Sequence, residues 1–355
     1  MRILIDIGHP AHVHLFRYFA REMKNKGHQV LFTVRDKEFE IRLLKQYELE
    51  YISFGKHRKS KTGKIWGLFF FTLKLWLVSV KFKPDIYFSH GSTYAALASW
   101  FFRKPHISME DTGNREQVRL YKPFTEAILT SKSFHLKYGE KQIFYDGFHE
   151  IAYLHPKYFT PENSIFELLG IEKDRPYSIL RFISWKATHD VGQKGLTLSY
   201  KIHLVNELSK FGEVFISSEN DLPVELEKYK ISIPPERMHD VLYFANLFVG
   251  EGATMASECA MLGTPAIYVN TIEAGTIDEQ EKLGLLAHFR DNNGVLEEAV
   301  SILTDKSKRN KLKENHKIFI SGLIDLTLFM VWFIEQWPES FRLMKENPDY
   351  QNRFK

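Results

Sequence analysis

One cysteine, Cys259, occurs in 355 residues. No intrachain disulfide can form, which excludes a disulfide-stapled scaffold. Cys and His do not fall at zinc-site spacing. Neither a Gly-x-x-x-x-Gly-Lys-Ser/Thr phosphate loop nor a Gly-x-Ser-x-Gly elbow is present. The longest apolar run, residues 65–80, is sixteen residues interrupted by Lys74, whereas a spanning helix needs about 20. Asp6 and the turn residues from Gly8 leave no room for a signal-peptide core, so a cytoplasmic protein is expected. Acid is missing from one stretch: residues 51–84 hold eight Lys or Arg and no Asp or Glu. The net charge of the chain is +4, so the remainder sums to −4. The cations are not spread over a groove-sized surface with base-reading aromatics, and nucleic acid is not an expected partner.

What is present is a globular composition, 44% hydrophobic and 26% charged, long enough for two domains of about 150 residues each. Residues 2–7 read as a buried strand and residues 8–12 as a turn. Val13, Phe16, Phe19, Ala20 and Met23 then share one side of a helix over 13–24, and 30–34 is a second strand. Strand, glycine-containing loop, helix, strand is the start of a parallel α/β sheet. A strand at 85–89, a helix at 94–102 and a strand at 105–109 continue it. Polar residues close these strands, where open α/β sheets place their ligands. Residues 154–163, with Pro156 and Pro161, read as a linker. A second series follows, with strands at 177–183, 213–218, 247–250 and 265–269 and helices at 196–210, 238–245 and 254–262. Residues 295–355 read as largely helical. The expected architecture is α/β, with two Rossmann-like domains (1–155 and 156–325) facing across a cleft and terminal helices (326–355) crossing back to the first.

The sharpest chemical signal is Val249-Gly250-Glu251-Gly252-Ala253-Thr254, continuing through Glu258 to Gly263-Thr264-Pro265. A strand ends at Gly250 and a helix starts near Ala253 or Thr254. The free first-turn N–H groups of such a helix favour phosphate oxygens. Glu258 lies about a turn further on, where a carboxylate can accept both hydroxyls of a ribose. Residues 249–265 resemble the nucleotide-sugar-binding segment of GT-B fold glycosyltransferases and the related UDP-GlcNAc 2-epimerases. In those proteins a glycine turn holds the diphosphate, a glutamate in the next helix binds ribose and Gly-x-Pro leads into the next strand. Gly252, Glu258, Gly263 and Pro265 match that pattern.

The resemblance extends to the first half and covers nearly the whole chain. His90-Gly91-Ser92-Thr93 resembles the His-Gly-Asp-Thr step of the epimerases, and residues 106–113 resemble their His-Val-Glu-Ala-Gly segment. Ser92 stands at the epimerase aspartate, and the paired glutamates have no clear counterpart near 115–120. Proton removal and return at a sugar carbon needs placed acid–base groups, so the resemblance implies the scaffold more than the epimerase reaction. The chain also resembles a group of GT-B-like proteins often associated with surface-polysaccharide synthesis.

The loop from Gly8 to His14 holds His9, His12 and His14. His12-Val13 resembles the Gly-His-Val step beside the acceptor in the peptidoglycan-forming N-acetylglucosaminyltransferase. His12 is therefore a candidate base, with a pyrophosphate contact or a structural turn as its alternatives. Glu110 and Asp111 are rival bases. His9, His14, His90, Ser92 and Thr93 are placed on the acceptor side. Gly8, Arg181, Lys186, Ser217, Gly252, Ala253, Thr254 and Glu258 are placed with the nucleotide-sugar. Arg181 or Lys186 would neutralise charge on the departing diphosphate. Ser218, Glu219 and residues 239–242 are weaker candidates to flank the base of the nucleotide. The resemblance implies a metal-independent transferase with a nucleoside diphosphate-sugar, a UDP-sugar first, as co-substrate and no cofactor. Its acceptor would be a saccharide or lipid-linked glycan. Residues 56–80 combine cations with an apolar surface and suggest an anionic membrane as a further partner, on the inner face of the plasma membrane. Cys259 is expected to pack inward.

Overall fold

The structure is a computed structural model that describes residues 1–56, 61–183, 196–218, 221–271 and 275–355, with the backbone alone for 61–66. The chain forms two compact units, Met1–Tyr158 with Leu323–Lys355, and Phe159–Gly322.

In the first unit, β1 (Arg2–Ile7), α1 (Pro10–Asn25), β2 (Gln29–Asp36), α2 (Glu40–Gln46), β3 (Tyr51–Lys56), α3 (Lys61–Phe82), β4 (Ile86–His90), α4 (Thr93–Phe102), β5 (His106–Met109), α5 (Arg115–Tyr121), β6 (Ala127–Ser131), β7 (Gln142–Tyr145) and α6 (Ile151–Leu154) follow in order. The seven strands pair in parallel as β3-β2-β1-β4-β5-β6-β7. Covered on both faces, β1 and β4 are buried along nearly their whole length. The order reverses direction between β1 and β4, and a doubly wound sheet opens its ligand crevice at the carboxyl ends there. Residues 8–12 and 90–93 meet at that point.

The second unit contains α7 (Ile165–Leu169), β8 (Tyr177–Phe182), α8 (Leu198–Leu208), β9 (Glu213–Ser218), α9 (Val224–Glu227), α10 (Met238–Phe244), β10 (Leu247–Gly250), α11 (Ala253–Leu262), β11 (Ala266–Val269), α12 (Gly275–Lys282), β12 (Ala287–Phe289), α13 (Val295–Thr304) and α14 (Lys306–Gly322). Its strands pair in parallel as β12-β11-β10-β8-β9. The switch point lies between β8 and β10, where Arg181 faces the glycine turn after Gly250.

Two helices, α15 (Leu326–Glu335) and α16 (Glu339–Glu346), return to the first unit. Asp325 caps α15 by accepting from Leu328 N, and also holds Lys157 Nζ (3.0 Å) and Tyr158 Oη (2.8 Å). Tyr158 stacks on Tyr18 as well, so the chain leaves the first unit after Tyr158 rather than at 155. Ile324 is fully buried and bonds through its N–H to Asp146 O, which sets the return at 323 rather than 326. The stretch Lys306–Glu335 is long and apolar enough to cross a membrane, yet 56% of its apolar window is buried. Its apolar half, α15, packs on α1 and α6 as a core helix.

Candidate functional site

The first unit gathers a chain of ionisable rings at its switch point. His9 caps α1, its Nδ1 accepting from Ala11 N. His9 and His12 lie 5.9 Å apart by ring centroid, and His12 stacks on His90 at 4.4 Å. His90 Nε2 donates to Asp111 Oδ1 (2.9 Å), and His149 Nδ1 bonds Asp111 Oδ2 (2.8 Å). One carboxylate thus orders two imidazoles. Burial alone would raise the Asp111 pKa, but His149 and His90 outweigh it and hold the carboxyl well below its ordinary range. Burial pulls His90 down, but Asp111 dominates and raises it above the ordinary histidine value. Burial first, then His90 and His9, press His12 well below 6.5. At neutral pH His12 is therefore an uncharged imidazole, as a base requires. Gly8 N–H reaches His12 Nδ1 at 3.4 Å, too long to fix the tautomer by itself. His90, Asp111 and His149 each offer a ligand atom within 4.8 Å of the others, so this group could also hold a metal ion. His149 was not singled out in the sequence. Its neighbours in Gly-Phe-His-Glu match no motif, and only the fold brings β7 beside β6 and β5.

The remaining first-unit candidates are built into the scaffold. Glu110 is 1% exposed and accepts from Thr112 N (2.9 Å), Thr112 Oγ1 (2.7 Å), Gly113 N (3.2 Å) and Tyr121 Oη (2.6 Å). A carboxylate with four donors organises its loop and is poorly placed to take a substrate proton. Ser92 accepts from Ala95 N as the cap of α4 and donates to Asp6, while Thr93 opens that helix. Asp6, fully buried, also accepts from Thr33 Oγ1 and, at both oxygens, from Arg35 Nη1, while Arg35 Nη2 donates to Ile7 O. A Cβ on Gly8 would come within 2.9 Å of Arg35 Nη2. Gly8 thus makes room for this buried ion pair, a role in its own unit that differs from the nucleotide contact expected of it. His14 is a correction of another kind: it is buried and packs with Tyr47 and Tyr153. An α-helix turns 100° per residue, so His14 cannot follow His12 to the strand ends.

In the second unit, Arg181 ends β8 and its Nη1 donates to Ser217 Oγ on β9 at 2.9 Å. A Cβ on Gly250 would strike Arg181 Cβ at 2.8 Å and the Phe248 ring at 2.5 Å, so β10 must end in glycine. Gly252 differs. Its φ is −99°, and its Cβ would meet Ile183 and Arg181 at ordinary distances of 3.5 and 3.7 Å. It caps α11 with no side-chain bond to the first-turn amides, and Ala253 and Thr254 supply that turn. Among the described residues nothing requires glycine at 252, and the missing side chain leaves the first-turn amides without a side-chain cap. Between the glycines, fully buried Glu251 accepts from Ile183 N (3.1 Å), Leu196 N (2.7 Å) and Lys201 Nζ (3.3 Å). Glu251 was not assigned a role from sequence, although an acid inside a strand-to-turn run signals a buried bond network. Glu258 is buried beside His239, whose Nε2 lies 3.0 Å from Oε1. His239 thus joins the site through its side chain. Lys186 and Glu219 lie outside the described residues. Cys259 is fully buried, and burial pushes its thiol well above its ordinary range.

A family model described as "Protein of unknown function (DUF354)" matches residues 1–330. No curated protein matches the sequence. Among solved structures, the chain is similar to MnaA of S. aureus in complex with UDP (TM-score 0.71, 12% identity, 96% of this chain and 97% of that one). It is similar to the UDP-GlcNAc 2-epimerase of Neisseria meningitidis bound to UDP-GlcNAc (0.62, 12%, 93% and 100%). It is also similar to SsfS6, a glycosyltransferase of Streptomyces sp. SF2575 (0.59, 15%, 95% and 100%). At these identities the likeness shows the fold, which is that shared by GT-B glycosyltransferases and UDP-GlcNAc 2-epimerases.

Proposed function

The chain belongs to the DUF354 family of proteins of unknown function, and we propose that it is a metal-independent glycosyltransferase that draws on a nucleoside diphosphate-sugar. A UDP-sugar is the first candidate, since solved structures of the same fold hold UDP and UDP-GlcNAc. The acceptor is a saccharide or lipid-linked glycan of a surface polysaccharide. The observation that carries the reading is the turn at Gly252, where none of the described residues requires glycine, flanked by Arg181. First-turn amides of α11 and the guanidinium suit a diphosphate, and they would stabilise it as the leaving group. Glu258, held beside His239, is the carboxylate for the ribose hydroxyls. The first unit supplies the acceptor side, with His12 as base and the Asp111-ordered His90 and His149 beside it.

An epimerase or hydrolase is the alternative, favoured by the likeness to solved epimerases. Against it, the serine at the expected aspartate position is committed to Asp6 and a helix cap. A non-catalytic scaffold would bind nucleotide without turnover. The discriminating experiment incubates the protein with UDP-GlcNAc alone and then with a crude membrane glycolipid fraction. The transferase reading expects UDP release only with acceptor. Epimer or free sugar without acceptor would overturn it, and no turnover with any donor would favour the scaffold.

A further inference from the structure

Helix α3 is apolar on almost every side. Phe71 and Leu75 face the core, packing with Leu4, Phe54, Tyr87 and Ala95. The opposite side should then be polar in a soluble domain. It is not: Phe69 is 69% exposed and Leu73 55%, with Phe70, Leu77 and Val80 exposed beside them. Trp100 and Phe101, at the end of α4, are 64% and 60% exposed and extend the same surface. Lys74, the only cation within residues 65–80, does not break it. Its Nζ lies over the Phe70 ring at 4.6 Å and donates to Phe54 O. A contiguous apolar surface of this kind on a single chain marks a contact site.

Two cavities cut into this surface and share Trp100 and Phe101. One, of about 440 Å³ and almost purely apolar, runs between α3 and α4 past Leu68, Phe69, Leu73 and Trp76. The other, of about 720 Å³, is bordered by Arg103 and Lys104 and by one acid, Glu126, whose carboxylate accepts from His106 N at 2.7 Å. The sequence that forms this face is cationic: residues 51–109 hold ten Lys or Arg against one acid, Asp85. Of these, Arg58, Lys59 and the side chains of Lys61 and Lys64 lie outside what the structure describes, and Lys81, Lys83, Arg103 and Lys104 are exposed at the ends of α3 and α4.

We propose that the α3–α4 face is a docking surface for an anionic phospholipid bilayer, taking an acyl chain between the helices and a lipid phosphate at Arg103 and Lys104. The charge decides between occupants. A two-fold dimer through this face would set two cationic rims against each other, whereas an anionic leaflet neutralises the rim and its acyl chains cover the aromatic residues. The inference goes beyond the transferase reading and stands apart from it, since vesicle binding reads the surface and UDP turnover reads the strand ends.

The test is flotation of the full chain with vesicles of about 30 mol% phosphatidylglycerol in phosphatidylcholine, against phosphatidylcholine alone. Binding is expected to the anionic vesicles at low salt, and to fall about tenfold or more in roughly 0.5 M salt. F69S/L73S and R103E/K104E, all at exposed positions, should each weaken it about tenfold with an unchanged circular-dichroism melt. No flotation at low salt would overturn the proposal, as would full binding by both variants. Displacement by inorganic phosphate at fixed ionic strength would assign the basic cavity to a free anion and overturn the bilayer. A dimer in light scattering that F69S/L73S dissolves, without vesicle binding, would assign the face to a second copy and overturn it too.

Discussion

A Cβ on Gly250 would lie 2.8 Å from the Cβ of Arg181, while one on Gly252, two residues later, would lie 3.7 Å from Arg181 Cγ. The two glycines of one turn therefore answer to different demands. Gly250→Ala should destabilise the protein by about 1–3 kcal/mol through overpacking, read as a drop in melting temperature. Gly252→Asn, which keeps a good N-cap for α11, should leave the melt nearly unchanged and weaken UDP binding by about tenfold or more, because its side chain occupies the α11 first-turn amides. Equal losses of stability in the two variants would contradict this division.

The carboxylates that follow β5 are predicted to separate in the same way. Asp111→Asn removes the charge that orders His90 and His149 and should lower kcat by about 100-fold or more, with UDP affinity kept. Glu110→Ala removes the acceptor of four bonds and should act on stability, by about 2–4 kcal/mol. A large kcat loss in Glu110→Gln at unchanged stability would return Glu110 to the role of base.

Metal independence is open to direct measurement. Activity should survive dialysis against a chelator, and metal analysis should find no stoichiometric ion. Loss of activity on chelation with recovery on adding zinc or manganese would instead make His90, Asp111 and His149 a metal centre.

His106 gives a pH signature away from the strand-end rings. It is fully buried between Ser89 Oγ (2.9 Å) and Thr125 Oγ1 (2.7 Å), and burial lowers its pKa to about 3. The unfolded chain protonates it near pH 6.5. Between those values the unfolded state holds the extra proton, so stability is complete above about 6.5 and declines as pH falls towards 3, by at most ~1.4 kcal/mol per pH unit. His106→Gln should flatten the fall in stability between about pH 6 and 4.5 by up to one proton's worth. An unchanged slope in denaturant titrations would refute the assignment.

Much of this fold was legible because its strands are short apolar runs closed by glycine or polar residues. β1, β4, β8 and β10 could be read that way, and with them the polar strand ends, while the two switch points came only with the strand order. β3 could not: Tyr51–Lys56 is mostly exposed and contains Gly55, as suits the edge of a sheet. Residues 121–153, with β6, β7 and His149, carry no motif and become meaningful only through pairing. Site legibility followed the same line. Gly252, Arg181 and Ser217 lie together because strand ends converge, which sequence order exposes. The Asp6–Arg35 pair, the four donors on Glu110 and the inward turn of His14 depend on side-chain packing that no spacing rule encodes.

The central claim is that the second unit binds a nucleoside diphosphate at the Gly252 turn with Glu258 on the ribose. Calorimetric titration of UDP into the wild-type chain and into Glu258→Gln tests it most directly, since glutamine can still accept the bond from His239 and spare the fold. The account predicts saturable binding to the wild type, weakened about tenfold or more in the variant. Absence of binding, or identical binding by the two proteins, would contradict it.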